Sequence, residues 1–300
     1  MEQEKWRGSF AIPMTPYRED GNIDEDVLTK EIEFCIESGV GGLATPLMVS
    51  EFRNLSERER KLMIKLPVEV SAGRVPVVAN CAAVNTILAV EYATFARESG
   101  ADAVIAMPPY IHKSDFDNIV DYYTNIAHAA RLPVWIQNAG VSPLSPDQIV
   151  ELCERIEYVS WVKEEVAPST HSISALMGKS SASVHGVMGG GGGRFMITEH
   201  ARGSSGVIHA CQFCDVVQEI WDHLDNGKHE DAADLYEHLL PALMLEGLMG
   251  MAFAKEIMTR RGVFRNHRMR GRSAPLDSYD IMEIDRVWDR IQPHLTWRNQ

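Results

Sequence analysis

The sequence predicts a (β/α)8 TIM barrel with a C-terminal helical appendage, and three observations carry that prediction. Eight short apolar or β-branched runs recur roughly every 25 to 30 residues between positions 10 and 226. Each is followed by a segment of helical period, which implies parallel strands joined by right-handed crossovers, and eight such units close a barrel. After Gly227 the strand-like runs stop and only helical patterns remain.

The expected strands are residues 10–15, 42–47, 75–79, 103–107, 134–138, 159–165, 183–188 and 206–210. Helix starts are marked by capping chemistry. Ser56-Glu57-Arg58-Glu59 and Ser145-Pro146-Asp147-Gln148 have the form of capping boxes, with Pro146 suited to a first helical position. Asp24 and Ser114 stand where N-caps belong, and Gly39, Gly73 and Gly100 follow helical segments as stops. Residues 229–261 and 278–295 read as helices. The barrel is therefore expected over residues 8–226 and the appendage over 227–300. No Pro/Gly/Ser linker lies between them, so the helices should pack directly on the barrel.

A chain of 300 residues with 45% apolar content suits a soluble globular protein. A net charge of -13 and a pI near 5.3 exclude a general nucleic-acid or anionic-membrane binder. The basic cluster Arg260, Arg261, Arg265, Arg268, Arg270 and Arg272 runs against that balance and reads as a solvated loop or a subunit contact. The first ten residues are charged and show no secretory signal. Residues 239–254 are the most membrane-like stretch, but they contain Pro241 and Glu246 and are short for a span, so they read as a buried or interface helix. Five cysteines form no disulfide framework, and Cys211-Gln212-Phe213-Cys214 is read as packing cysteines. A cytoplasmic protein is expected.

The stretch Tyr158-Val159-Ser160-Trp161-Val162-Lys163-Glu164-Glu165 is a strand with one lysine in a largely apolar run. Period-two alternation puts Val159, Trp161, Lys163 and Glu165 on one face and Ser160, Val162 and Glu164 on the other. Lysine is rarely buried without a reason. Desolvation eases loss of its proton, and a neutral amine attacks a ketone to give a Schiff base. The plainer alternative is a strand-end lysine paired to a glutamate. Barrel enzymes act at the C-terminal ends of their strands, and Lys163 is the only lysine inside an expected strand.

The order of Gly73-Arg74-Val75-Pro76-Val77, Met107-Pro108-Pro109-Tyr110, Leu132-Pro133-Val134 and Val162-Lys163-Glu164 resembles the dihydrodipicolinate synthase/N-acetylneuraminate lyase family. The resemblance spans roughly residues 6–295 and implies a Schiff-base lyase acting on a 2-keto acid, with Lys163 matching the family's Schiff-base lysine. It also implies a homo-oligomer, dimer or tetramer, for which helix 239–254 offers an interface. No cofactor is implied, and no ligand spacing suggests a metal.

Departures from the family pattern narrow the reading. Leu47-Met48-Val49-Ser50-Glu51 stands where family members carry Gly-Thr-Thr-Gly-Glu. Gln137 replaces the tyrosine of the fifth strand, and Ile111 replaces a second tyrosine. Glutamine has no titratable proton, so the usual tyrosine–threonine relay is missing. Ser-Glu after strand two, Gln137 and Lys163-x-Glu165 resemble the L-2-keto-3-deoxyarabonate dehydratases, as do Pro108-Pro109-Tyr110 and Ala254-Lys255. That resemblance implies a hydro-lyase in which Lys163 forms the iminium and Glu165, its carboxyl raised by partial burial, moves the C3 proton. Ser50 and Gln137 would hydrogen-bond substrate. Glu51 binds substrate or orients its loop, and Tyr110 lines the pocket wall.

The run 189–193 is read as a backbone cradle for phosphate or as a loop facing substrate, with Gly189 at its start and Arg194 neutralising a carboxylate or capping a helix. His112, His185 and His209 read as polar lining or core. Two other functions stay open: an aldolase or hydratase-aldolase, or a synthase-like member, and a keto-acid binding protein without turnover.

Overall fold

The computed structural model describes residues 6–111, 114–179, 183–271 and 274–297. Eight parallel strands close into a barrel in chain order, β8 pairing back onto β1. They are β1 Gly8–Ile12, β2 Gly42–Thr45, β3 Val77–Asn80, β4 Ala103–Ala106, β5 Val134–Asn138, β6 Val159–Glu164, β7 Gly186–Gly189 and β8 Gly206–Ala210. Helices α1 Glu25–Glu37, α2 Glu57–Ser71, α3 Thr86–Ser99 and α4 Phe116–Ala130 alternate with the first strands. The second half repeats the pattern with α5 Pro146–Arg155, α6 Ser169–Gly178, α7 Met196–Ala201 and α8 Cys214–Asp225. β5 and β8 keep their expected bounds. β1 begins and ends earlier than expected, and β7 starts three residues later.

Both capping boxes form, Ser56 with Glu59 and Ser145 with Gln148. Asp24 caps α1, but α4 is capped by Asp115 instead of the expected Ser114, its carboxylate accepting from Asn118 N at 2.9 Å. A carboxylate at an N-terminus satisfies a free amide and the helix dipole together.

The barrel interior is filled by large side chains set against glycines. Trp135 and Trp161 stack with centroids 4.9 Å apart, and Trp6 covers them at 5.3 and 5.2 Å. A Cβ on Gly42 would lie 2.3 Å from the Phe10 ring, and one on Gly186 would lie 2.3 Å from that of Trp161. The missing side chains are what let the aromatics fit.

β6 departs from the simple alternation expected of it. The register runs from Val134↔Val159 to Trp135↔Trp161, leaving Ser160 as the extra residue of a bulge. Upstream parity flips as a result. Val159 packs with Val162 in the outer core, whereas Trp161 faces the interior.

The expected helix over 229–261 is two helices, α9 His229–Met249 and α10 Met251–Arg260, broken at Gly250 with φ 60° and ψ -135°. Helix α11 is Ser278–Ile291. Trp221 of α8, Leu239 of α9, Phe253 of α10 and Ile284 of α11 share one apolar core, so the appendage is fused to the barrel's last unit. Among the described residues no helix is long and apolar enough to cross a membrane.

Much of the basic cluster is a set of intramolecular ties. Arg261 makes a buried two-pronged pair with Asp215, at 2.8 and 2.7 Å, and Arg270 grips Glu59 at 2.8 and 2.6 Å. Arg272 lies outside the described residues. All five cysteines are free and buried.

Candidate active site

Lys163 ends its side chain at the inner face of β6, only 3% exposed, with Nζ 2.9 Å from Glu165 Oε1. The two-residue spacing places both groups on that face. Register pairs Gln137 of β5 directly with Lys163, and Gln137 Nε2 donates to Glu165 Oε2 at 2.8 Å. The amide of Gly191 donates to the same carboxylate. Burial pushes the Glu165 carboxyl up, but the Lys163 charge and the hydrogen bonds from Gln137, Lys163 and Gly191 outweigh it. The carboxyl is held below the ordinary range, which corrects the raised value expected from burial alone. Glu165 is thus an ionised base touching the lysine amine.

The outer face of the same strand end is different. Glu164 is fully buried, and its carboxyl accepts from Asn138 Nδ2 at 2.8 Å and Val166 N at 2.7 Å. Burial, with the nearby Glu165 charge adding to it, raises its pKa to about 7. Glu199 of α7 is also raised to about 7 by burial and by the Glu164 charge, against a hydrogen bond from Ser169.

The glycine run adjoins both faces. Gly189 pairs with Glu164, and a Cβ there would fall 1.9 Å from Glu199 Oε2, so Gly189 addresses the outer side. Gly190 is the residue against the site, since a Cβ on it would stand 2.2 Å from Glu165 Cγ.

Ser50 and Glu51 are engaged with protein. The Ser50 hydroxyl donates to Pro13 O at 2.6 Å and accepts from Leu47 N at 3.1 Å, while Ser50 O accepts from Thr15 Oγ1 at 2.5 Å. Glu51, in the left-handed region at φ 54°, meets Lys255 Nζ at 2.7 Å and accepts from the amides of Arg270 and Gly271, each at 2.9 Å. Lys255 is wholly buried and also donates to Thr15 O and Arg268 O at 2.8 and 2.6 Å. All three of its protons are accounted for. This clamp ties the loop after β2 to the segment from Arg268 to Gly271. A cavity of about 430 Å³ opens beside it, bounded by Met48, Glu51, Phe52, Arg53 and Met251, and Lys163 is not among its walls.

Tyr110, half-buried, packs edge-on to Phe52 at 6.4 Å beneath the Arg53 guanidinium. Arg194 donates Nε to Leu243 O at 2.9 Å and Nη1 to Gly191 O at 2.5 Å, tying the glycine run to α9. His209 is a core residue. Its Nδ1 lies 2.8 Å from Ala210 O and its Nε2 2.7 Å from Ser9 Oγ, and burial lowers its pKa to about 4. Burial also lowers the pKa of His185. His112 lies outside the described residues.

The structure therefore brings Lys163, Glu165, Gln137 and the glycine run together, while Ser50 and Glu51 engage other protein groups and Tyr110 packs on Phe52. Glu246 of α9, which the sequence shows only as a charge arguing against a membrane span, reaches Gln212 beyond β8. Its signal was the one used for Lys163, a single charge inside an apolar run. Among the described residues no group of three or more His, Cys, Asp or Glu is placed to hold a metal ion.

Residues 5–286 match the model of the dihydrodipicolinate synthetase family. An L-2-keto-3-deoxyarabonate dehydratase of Azospirillum brasilense is 26% identical over 96% of this chain and 95% of its own. A probable 5-dehydro-4-deoxyglucarate dehydratase of Streptomyces coelicolor is 36% identical over 48% of this chain and 46% of its own. The crystal structure of dihydrodipicolinate synthase from Rhodopseudomonas palustris superposes with a TM-score of 0.88 at 22% identity, covering 95% of this chain and 98% of that one. With the barrel closed in the same architecture and the family model matched over nearly its whole length, the chain is a lyase of the dihydrodipicolinate synthetase family.

Proposed function

We propose that this protein is a Schiff-base hydro-lyase that dehydrates a 2-keto-3-deoxy sugar acid of the L-2-keto-3-deoxyarabonate type to a semialdehyde keto acid. The observation that carries the reading is the pair of buried Lys163 with partly exposed Glu165, braced by Gln137 at the strand-five position where the family's tyrosine stands. The near full-length likeness to a dehydratase supports it.

Glu165, ionised and 2.9 Å from Nζ, takes the ammonium proton and frees the amine to attack the C2 ketone. It returns that proton to the carbinolamine hydroxyl, which leaves as water. The resulting iminium acidifies C3, and Glu165 removes a C3 proton to give the enamine. The enamine electrons then expel the C4 hydroxyl, which leaves as water with a proton from Glu165 or a bound water, forming the C3–C4 double bond and restoring the iminium. Tautomerisation and hydrolysis release the product and restore Lys163. Gln137 holds Glu165 in line for each transfer. The clamp of Glu51 and Lys255 and the Ser50 hydroxyl position the loop after β2 through backbone contacts.

Reduction with borohydride in the presence of 2-keto-3-deoxy-L-arabonate, followed by peptide mass analysis, tests the reading. A dehydrated five-carbon adduct on Lys163 is expected. A pyruvyl adduct would establish aldol cleavage instead, and an absence of adduct would remove the lysine-centred mechanism. Met244 and Leu248, 57% and 78% exposed on α9, support a homo-oligomer, which light scattering would test.

A further inference from the structure

Expulsion of the C4 hydroxyl needs a proton, and Glu165 is poorly placed to be its only source. Both Glu165 oxygens are pinned, Oε1 to Lys163 and Oε2 to Gln137, which keeps that carboxyl beside the C2 and C3 end of the substrate. The C4 hydroxyl lies further along the chain.

A second carboxyl stands over the same glycine run. Glu246 extends from α9, and its Oε2 accepts from Gln212 Nε2 at 2.7 Å just beyond the C-terminal end of β8. A Cβ on Gly192 would lie 3.4 Å from Glu246 Oε1 and 3.5 Å from Arg194 Nη1, so the carboxyl and the guanidinium both border this part of the run. Residues 190–193 carry no side chain to stand between the two carboxyls. Among the described residues Glu246 makes no ion pair within 4 Å. Arg194, the nearby cation, gives its Nε and Nη1 to the carbonyls of Leu243 and Gly191. Burial outweighs the Arg194 charge and the Gln212 hydrogen bond and raises the Glu246 carboxyl to about 7, so a protonated fraction is present near neutrality. Beside it, Gln212 is 1% exposed, and its Oε1 is buried with no hydrogen-bond partner among the described residues. A buried acceptor without a donor is costly unless something supplies one. A substrate hydroxyl would donate to it.

We propose that Glu246 is the general acid that protonates the departing C4 hydroxyl, with Gln212 Oε1 accepting a hydrogen bond from the substrate. This rests on the dehydratase reading above and completes its proton balance. Glu165 carries off the C3 proton, the Glu246 proton joins the hydroxyl, and the C4–O bond breaks to release water. Glu165 then releases its proton to solvent and Glu246 takes one up before the next turnover. The appendage thus supplies a catalytic residue to the barrel.

The test compares wild type with Glu246→Gln on two substrates, 2-keto-3-deoxy-L-arabonate and its 4-deoxy-4-fluoro analogue, whose fluoride departs with little need of an acid. Dehydration by the variant should fall about 100-fold or more. Fluoride release should stay within about two-fold of wild type, and borohydride should still trap substrate on Lys163. Equal losses on both substrates would assign Glu246 a structural role and overturn the proposal, as would unimpaired dehydration. A wild type that forms no Lys163 adduct would remove the dehydratase reading and this role with it. A dehydrating wild type matched by its variant would remove the Glu246 role alone.

Discussion

Glu165 on the inner face of β6 meets the Lys163 ammonium at 2.9 Å, whereas Glu164, its neighbour on the outer face, meets the Asn138 amide and lies near a second buried carboxyl, Glu199. Desolvation is the largest influence on both groups and acts in the same direction. The cation decides the outcome, leaving Glu165 below its ordinary range and Glu164 at about 7. Burial alone therefore does not predict which of two adjacent carboxyls is a base. The partner across the contact does.

Removing that partner should have the largest effect. Lys163→Ala is expected to abolish both turnover and the borohydride adduct, and to move the Glu165 titration upward toward that of Glu164. Carbon-13 NMR of labelled glutamate would follow the second effect. A Glu165 titration unchanged in the variant would mean that the hydrogen bonds from Gln137 and Gly191, not the charge, set its acidity.

Next come the carboxyls themselves. Glu165→Gln keeps the size of the group but removes the base, and kcat should fall by about 10²–10⁴-fold. Glu164→Gln, one residue away, should leave kcat within a few-fold of wild type. Steady-state rates on the same substrate would compare them, and similar losses in both would erase the distinction between the two faces.

The glycines give a subtler version of the same contrast. Gly190→Ala puts a Cβ 2.2 Å from Glu165 Cγ and should displace the base, lowering kcat by about 100-fold. Gly189→Ala puts one 1.9 Å from Glu199 Oε2 and should cost about 1–3 kcal/mol in stability while the Lys163 adduct still forms. Denaturant melts beside adduct yields would separate these effects.

How far the sequence discloses such detail depends on the range of the interaction. Barrel order, the caps at Ser56 and Ser145 and the pairing of Lys163 with Glu165 are local, set by period and by two-residue spacing, and were legible. The parity flip at Val159 was not, because a bulge arises from register with β5 and leaves no mark on β6 alone. Ser50 read as a substrate contact, and Glu51 as a substrate contact or a loop-orienting group, because their partners, Pro13 O, Lys255 and the amides of Arg270 and Gly271, come from distant segments. Glu246 was visible as a lone charge in an apolar helix, but only the fold shows that this helix reaches Gln212 at the barrel mouth.

The smallest expected effect concerns stability and pH on the outer face. Glu164 titrates at about 7 in the folded chain against an ordinary 4.5, so the folded state binds a proton that the unfolded state has already released. Between these values the folded form carries more protons, and this group's contribution to stability falls as pH rises from about 4.5 to 7, then levels off. Other buried groups, such as His209 at about 4, add opposing slopes, so the whole-protein profile does not isolate Glu164. Glu164→Gln does, because the amide stays uncharged at every pH, although its NH2 cannot accept from Asn138 or Val166 as a carboxyl oxygen does. At pH 5 the variant should melt below wild type, because one of those two donors loses its acceptor. Between pH 5 and pH 8 the variant should gain about 2–4 °C relative to wild type, as one relieved buried charge in a domain of this size would give. A difference that is the same at both pH values would place the Glu164 titration outside this window, and the contrast between the two faces of β6 would then rest on Glu165 alone.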